Sequence, residues 1–275
     1  NAHTQDHYLG FSGGNDKAKL AGSLGYYGED GTVIGTEYKR YSGRLNGSYK
    51  IKDNVEVSSG ITFSNSETPP LFAATSFLFN YQRKEYTFFN PWLPDGSPAP
   101  GLQAAYGNPL YWLSRMIRKN NERKTSFNLG VKWEILKDLF LKANMNFFYS
   151  DNTNEAFDKS NQSQIATVPN VTRAASASYA TSLHQQHNIT LDYKKMFNNH
   201  NVSILAGAEY FDISSFSMSA AGKGAASDDI YTLNAATERT SISSSRSENK
   251  IKSLFGRLNY DYKNKYLLET IFRAD

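Results

Sequence analysis

Outside its loops, the chain alternates apolar and polar residues with period two, and its connections alternate short and long. Tyr41, Gly43, Leu45, Gly47, Tyr49 and Ile51 fall on one side of a strand, and Ser42, Arg44, Asn46, Ser48 and Lys50 on the other. The pattern returns at Phe127, Leu129, Val131, Trp133 and Ile135, set against Ser126, Asn128, Lys132 and Glu134. Successive strand side chains point to opposite faces, so each such strand has one oily and one wet surface. A membrane barrel needs that repeated face, with lipid outside and water inside.

Ten strands are expected, over residues 6–13, 18–28, 38–51, 55–64, 123–135, 139–150, 182–194, 202–213, 250–262 and 266–273. Their length of roughly ten residues is what a tilted strand needs to cross hydrocarbon. Tight turns such as Gly14-Asn15-Asp16, Lys52-Asp53-Asn54 and Asn198-Asn199-His200 fill every second connection. Gly, Asn and Asp accept the backbone conformations that such turns require. The other connections are a modest loop at 30–37 and long ones at 67–122, 152–180 and 216–246. Outer-membrane barrels keep short turns on the periplasmic side and long loops outside. A Greek-key sandwich has no reason to keep that alternation.

Composition alone leaves both architectures open. A length of 275 residues fits one large domain or two ordinary ones, and 39% hydrophobic content suits either a soluble protein or a barrel whose lumen and loops dilute the apolar belt. The 18 Tyr and 17 Phe suit a membrane interface or a Tyr-rich sandwich. A net charge of +4 without like-charged runs demands no nucleic acid as partner. The chain has no Cys, which removes disulfides, thiolate metal sites and cysteine nucleophiles. No apolar run approaches the ~20 residues of a spanning helix. The chain starts at Asn1 with no signal-like segment and stops at Asp275 in a strand-like run, so both ends are expected to continue.

Three blocks resemble the SusC/RagA family of TonB-dependent outer-membrane transporters of Bacteroidetes-type bacteria. The first runs from Phe11-Ser12-Gly13-Gly14-Asn15-Asp16 through Gly22-Ser23-Leu24-Gly25-Tyr26 to Phe63, and its core, Lys39-Arg40-Tyr41-Ser42-Gly43-Arg44-Leu45-Asn46, is similar to the family's KRYSGRLN segment. The second is Asn108-Pro109-Leu110 followed by Lys119-Asn120-Asn121-Glu122-Arg123. The third and most specific is Leu254-Phe255-Gly256-Arg257-Leu258-Asn259-Tyr260-Asp261-Tyr262, leading to Tyr266-Leu267-Leu268 and Arg273-Ala274-Asp275.

The resemblance implies a barrel of ~22 strands around an internal plug, of which residues 1–275 are an early barrel segment without plug or remaining strands. It also implies a SusD-like surface lipoprotein as partner, the TonB complex acting through the absent plug, outer-membrane lipid around the barrel, and an oligosaccharide or peptide substrate. No cofactor is implied. The alternatives are a soluble glycan-binding or adhesin module and a complete ten-stranded barrel enzyme, but no convincing acid–His set supports the enzyme.

The excursion 67–122 holds seven of the 8 Pro and many aromatic residues. Proline stiffens a loop, and a stiff loop loses less entropy on holding a ligand. Tyr86, Phe88, Phe89, Trp92, Tyr111, Trp112 and Arg115 are therefore the candidate ligand residues. The competing reading is that the rings bury one another or dock on the barrel rim or a lid protein. Residues 110–118 have the spacing of a short amphipathic helix, with Leu113, Met116 and Ile117 on one side and Arg115 and Arg118 on another. His184 and His187 fall on opposite faces of a strand and cannot share a metal. Asp228-Asp229 reads as a solvated loop pair rather than a calcium site.

Overall fold

The computed structural model describes residues 2–68, 83, 87–101, 108–162 and 169–275. Ten antiparallel strands form one sheet in strict sequence order: β1 (Thr4–Gly14), β2 (Ala18–Asp30), β3 (Glu37–Lys52), β4 (Val55–Glu67), β5 (Met116–Leu136), β6 (Leu139–Asp158), β7 (Ala174–Phe197), β8 (His200–Lys223), β9 (Glu238–Tyr262) and β10 (Tyr266–Ala274). Each strand pairs only with its sequence neighbours, so β1 and β10 leave two open edges. A short helix, α1 (Pro109–Ser114), precedes β5. Among the described residues no helix is long and apolar enough to cross a membrane.

All ten expected strands are present. The short turns follow from their residues: Asn15 Oδ1 accepts from the Lys17 and Ala18 backbone N–H groups at 2.9 and 2.8 Å, while Asp138 and Asn198 adopt positive φ. The outer ends differ from expectation. About half of each of the connections expected at 152–180 and 216–246 is strand, because β6 and β7 pair as far as Asp158↔Ala174 and β8 and β9 as far as Lys223↔Glu238. Polar and small residues dominate these extensions, so the ladder continues on backbone hydrogen bonds without the apolar alternation that marks a spanning strand.

The helix expected over 110–118 ends at Ser114, where the Arg115 backbone N–H bonds back to the Tyr111 and Trp112 carbonyls. Met116, Ile117 and Arg118 belong instead to β5, opposite Asp158, Phe157 and Ala156. Pairing with β6 overrides the helical spacing.

Residues directly opposite in a ladder share a face, so the register fixes which side chains belong together. One row runs Tyr49, Val57, Val131, Ala143, Ile189, Ala208, Leu254; another runs Trp133, Leu141, Leu191, Ala206, Gly256, Phe272. Among the described residues no protein layer covers this face. Leu9 is 68% exposed, Leu45 43%, Met145 47% and Leu254 64%. The fully buried apolar residues among those described are Ala99, Phe157, Ala175 and Ala225, all at the ends with long loops. A water-soluble protein does not tolerate an apolar sheet face of this extent.

Aromatic residues border the face at both levels. Tyr49, Trp133, Tyr193 and Tyr260 lie toward the short turns, and Tyr26, Tyr41, Tyr149 and Tyr210 toward the long loops. The levels stand eight positions apart along β3 (Tyr41 to Tyr49) and β6 (Leu141, opposite Trp133, to Tyr149). At ~3.4 Å per residue and a tilt of ~40°, this gives a band ~21 Å tall, close to the ~25 Å of outer-membrane barrels. Between the levels this face carries no Asp, Glu, Lys or Arg on β2 through β8. Just beyond the outer level it becomes polar, with Asp151, Asp212 and Lys250.

Candidate functional site

The opposite face is hydrophilic and linked across strands. Lys142 Nζ meets Asp192 at 3.0 Å, Asn144 Nδ2 donates to Asn188 Oδ1 at 2.9 Å, and Gln186 Nε2 donates to Glu209 at 3.1 Å. Arg273 bridges Glu209 at 3.2 Å and Ser253 Oγ at 2.9 Å. Arg44, Asn46 and Lys132 lie on this same face. A hollow of about 740 Å³ is lined by Ser12, Lys19, Asn46, Ser48, Ser58 and Asn128, all of this face, drawn from five consecutive strands. The hollow is shallow and open, and side chains of the polar face supply most of its lining.

His184 and His187 do lie on opposite faces: His184 packs against Phe148, whose face is the polar one, and His187 against Phe147 and Tyr210 on the apolar one.

The candidate ligand residues fall into two groups. Tyr86 lies outside the described residues. Phe88 is 81% exposed, Phe89 half-buried, and Trp92 47% exposed in a small turn in which Trp92 pairs with Pro98. Tyr111 and Trp112 stand on α1 with ring centroids 5.8 Å apart and planes at 77°. The Tyr111 hydroxyl accepts from the Gln162 backbone N–H at 2.8 Å, and the buried Trp112 Nε1–H has no acceptor among the described residues.

Asn108 joins the two groups. It is almost completely buried, caps α1 by accepting from the Leu110 N–H at 3.1 Å, and donates to the Pro91 and Ala99 carbonyls at 2.8 and 2.9 Å. An Asn before Pro at a helix start is the sequence signal that would have singled it out.

Arg115 is not an open ligand-binding cation. Its Nε donates to the Ser160 carbonyl at 2.6 Å, and its outer nitrogen donates to the Ser160 hydroxyl and the Asp228 carboxylate. Asp228 also accepts from Arg173 Nε and from the Ser160 N–H and hydroxyl, each at 2.8 Å. The reading of Asp228 as a solvated loop acid is thus corrected, since three quarters of its side chain is buried among two arginines and a serine. Partial burial raises its pKa. The Ser160 N–H, Arg173, the Ser160 hydroxyl and Arg115 together outweigh that and hold the carboxyl well below the usual range.

No family model matches the sequence. Curated relatives do. The chain is 24% identical over 294 residues to TonB-dependent receptor P39 of Formosa agariphila, covering 97% of this chain and 25% of that protein. It is also 24% identical over 285 residues to TonB-dependent receptor P3 of the same organism, covering 97% and 27%. Among solved structures, the RagAB peptide transporter superposes with a TM-score of 0.83 at 19% identity, over 98% of this chain and 31% of the other. The ferric citrate transporter FecA superposes more loosely, with a TM-score of 0.54 at 11% identity.

The chain is thus similar in sequence to TonB-dependent receptors and shares the barrel fold of the RagAB transporter. It spans about a quarter of the length of the curated relatives it matches. In such a receptor the apolar face with its aromatic borders meets outer-membrane lipid, and the polar face lines the lumen. The short turns mark the periplasmic side, and α1, Asn108 and Asp228 sit outside. The named relatives and structural neighbours are receptors and transporters.

Proposed function

We propose that this chain is an early barrel portion of a TonB-dependent importer that takes up nutrient oligomers, glycans or peptides, across the outer membrane. Further strands of the same protein close the barrel along the free edges of β1 and β10, since lipid does not accept unpaired backbone, and a plug sits inside it. A SusD-like lipoprotein lid delivers cargo at the outer loops, and the TonB complex supplies energy through the plug. The RagAB peptide transporter, a receptor of matching fold, supports this reading. The observation that carries it is a sheet with an uncovered, aromatic-bordered apolar face backed by a hydrophilic one.

The Pro/aromatic loop is the cargo-contacting region in this reading, through Phe88, Phe89, Trp92, Tyr111 and Trp112, with Tyr86 assigned on sequence alone. Arg115 serves there as a strut. Uptake is tested in cells with and without the intact transporter, offered a fluorescein-labelled casein digest and a fluorescein-labelled oligosaccharide ladder. Transporter-dependent accumulation of one probe, lost on de-energising the inner membrane, is expected. Equal accumulation of both probes in the deletion strain contradicts the reading.

A further inference from the structure

We propose that Asp228 is a positioning residue that fuses three outer loops into one rigid body and thereby fixes the orientation of α1 and its Tyr111–Trp112 pair. Asp228 belongs to the β8–β9 connection, Arg115 to the junction of α1 with β5, and Ser160 and Arg173 to the two arms of the β6–β7 connection. One carboxylate accepts hydrogen bonds from all of them. Ionised partners make such bonds roughly twice as strong as neutral ones, and this cluster is three quarters buried or nearly so, which limits screening by water.

Backbone bonds reinforce the same junctions. The Lys159 N–H donates to the Arg115 carbonyl and the Gly224 N–H to the Thr172 carbonyl, both at 2.8 Å, while Arg173 also donates to the Ala225 carbonyl at 3.3 Å. Arg173 holds φ +43°, a left-handed conformation costly for a side chain of its size, and its guanidinium reaches Asp228 from it. Phe157, Ala175 and Ala225, from the same connections or the strand ends beside them, pack together, joined by Ile117, Leu233 and Ala235, and form the one apolar core cluster among the described residues.

The barrel wall has lipid to order it; these loops have the ion-pair node and this small core. Asp228 acts on α1 through Arg115, the residue that ends the helix. Its loss leaves two guanidinium groups without their shared counter-charge and frees the helix end.

Hydrogen exchange on the intact full-length transporter in nanodiscs tests this without any cargo, so the result is independent of the import reading. Asp228→Asn is expected to raise exchange at least tenfold and together in segments 111–117, 157–162, 171–175 and 224–235, with belt strands unchanged. Acrylamide quenching of the Trp112 indole, isolated by difference from Trp112→Phe, rises in step. Asp228→Glu, which keeps the charge, restores most of the protection. If Asp228→Asn fails to insert, Arg173→Gln gives the same segments a smaller shared increase. Exchange that changes only near residue 228, or segments that respond independently, overturns the proposal. So does a Glu variant no better than Asn.

Discussion

The depth of an arginine on the outer face of β5 should determine how badly it damages insertion. The aromatic levels cross this strand at Trp133 and at Thr125, which lies opposite Tyr149, so Leu129 sits midway and Val131 one step nearer the periplasm. Leu129 is opposite Ser59 and Met145, with no acidic residue beside it to pair an inserted charge. An arginine at the bilayer midplane of a barrel costs ~2–4 kcal/mol, falling to ~0–1 near the interfaces. With ~1.4 kcal/mol per factor of ten, Leu129→Arg lowers the folding equilibrium by roughly 30- to 700-fold. Val131→Arg costs slightly less, and Thr125→Arg less than ~1 kcal/mol. Asn128→Arg points into the lumen and is close to neutral.

The assay is the amount of heat-modifiable, membrane-inserted intact transporter at equal expression, supported by denaturant midpoints in vesicles. The expected order of damage is Leu129 ≥ Val131 > Thr125 > Asn128. Equal damage at positions 128 and 129, or a Thr125 variant worse than Leu129, refutes the assignment of faces and midplane.

Acid should leave the outer loop node intact through the pH range in which ordinary carboxylates protonate. The folded pKa of Asp228 is depressed, so its contribution is complete above the unfolded value of ~3.9 and fades only as pH falls through the lower folded value; exchange in segment 157–162 at pH 7 and pH 4 should match once corrected for intrinsic rates. Asn108→Ala strips the Pro91 and Ala99 carbonyls of their donor and uncaps α1, at a cost of about 2 kcal/mol confined to the loop, visible as protease cleavage between residues 91 and 115 with unchanged barrel yield. Asp192→Ala leaves Lys142 unpaired on the lumenal wall and lowers stability by about 1 kcal/mol without affecting insertion; a large insertion defect would put that wall against lipid.

The barrel strands were legible because lipid on one side and water on the other impose period two over residues such as 41–51 and 127–135, and because Asn15, Asp138 and Asn198 carry turn chemistry. The outer extensions of β6 to β9 were not, because a hairpin standing in water places no demand on either face; runs such as Ser243-Ser244-Ser245 read as loop although they pair residue by residue with β8. The end of α1 was hidden because Met116 and Ile117 satisfy helical spacing and strand alternation equally. In the loops, the Tyr111 and Trp112 rings pack on one another, but the partner that binds Arg115 lies 113 positions away. Neither Asp228 nor Ser160 has a local pattern to announce it. Asn108 was recoverable from its place before Pro109.

The central claim is that the apolar face of this sheet meets lipid and the other face meets water. Single spin labels at residues 126 to 133 of the intact transporter in vesicles test it most directly, through collision with oxygen, which partitions into bilayers, and with a water-soluble nickel chelate. Oxygen collisions peaking at 127, 129, 131 and 133, and nickel collisions at 126, 128 and 132, are the expected result. Labels on the odd positions shielded from both reagents would mean that protein covers that face, and would contradict the account.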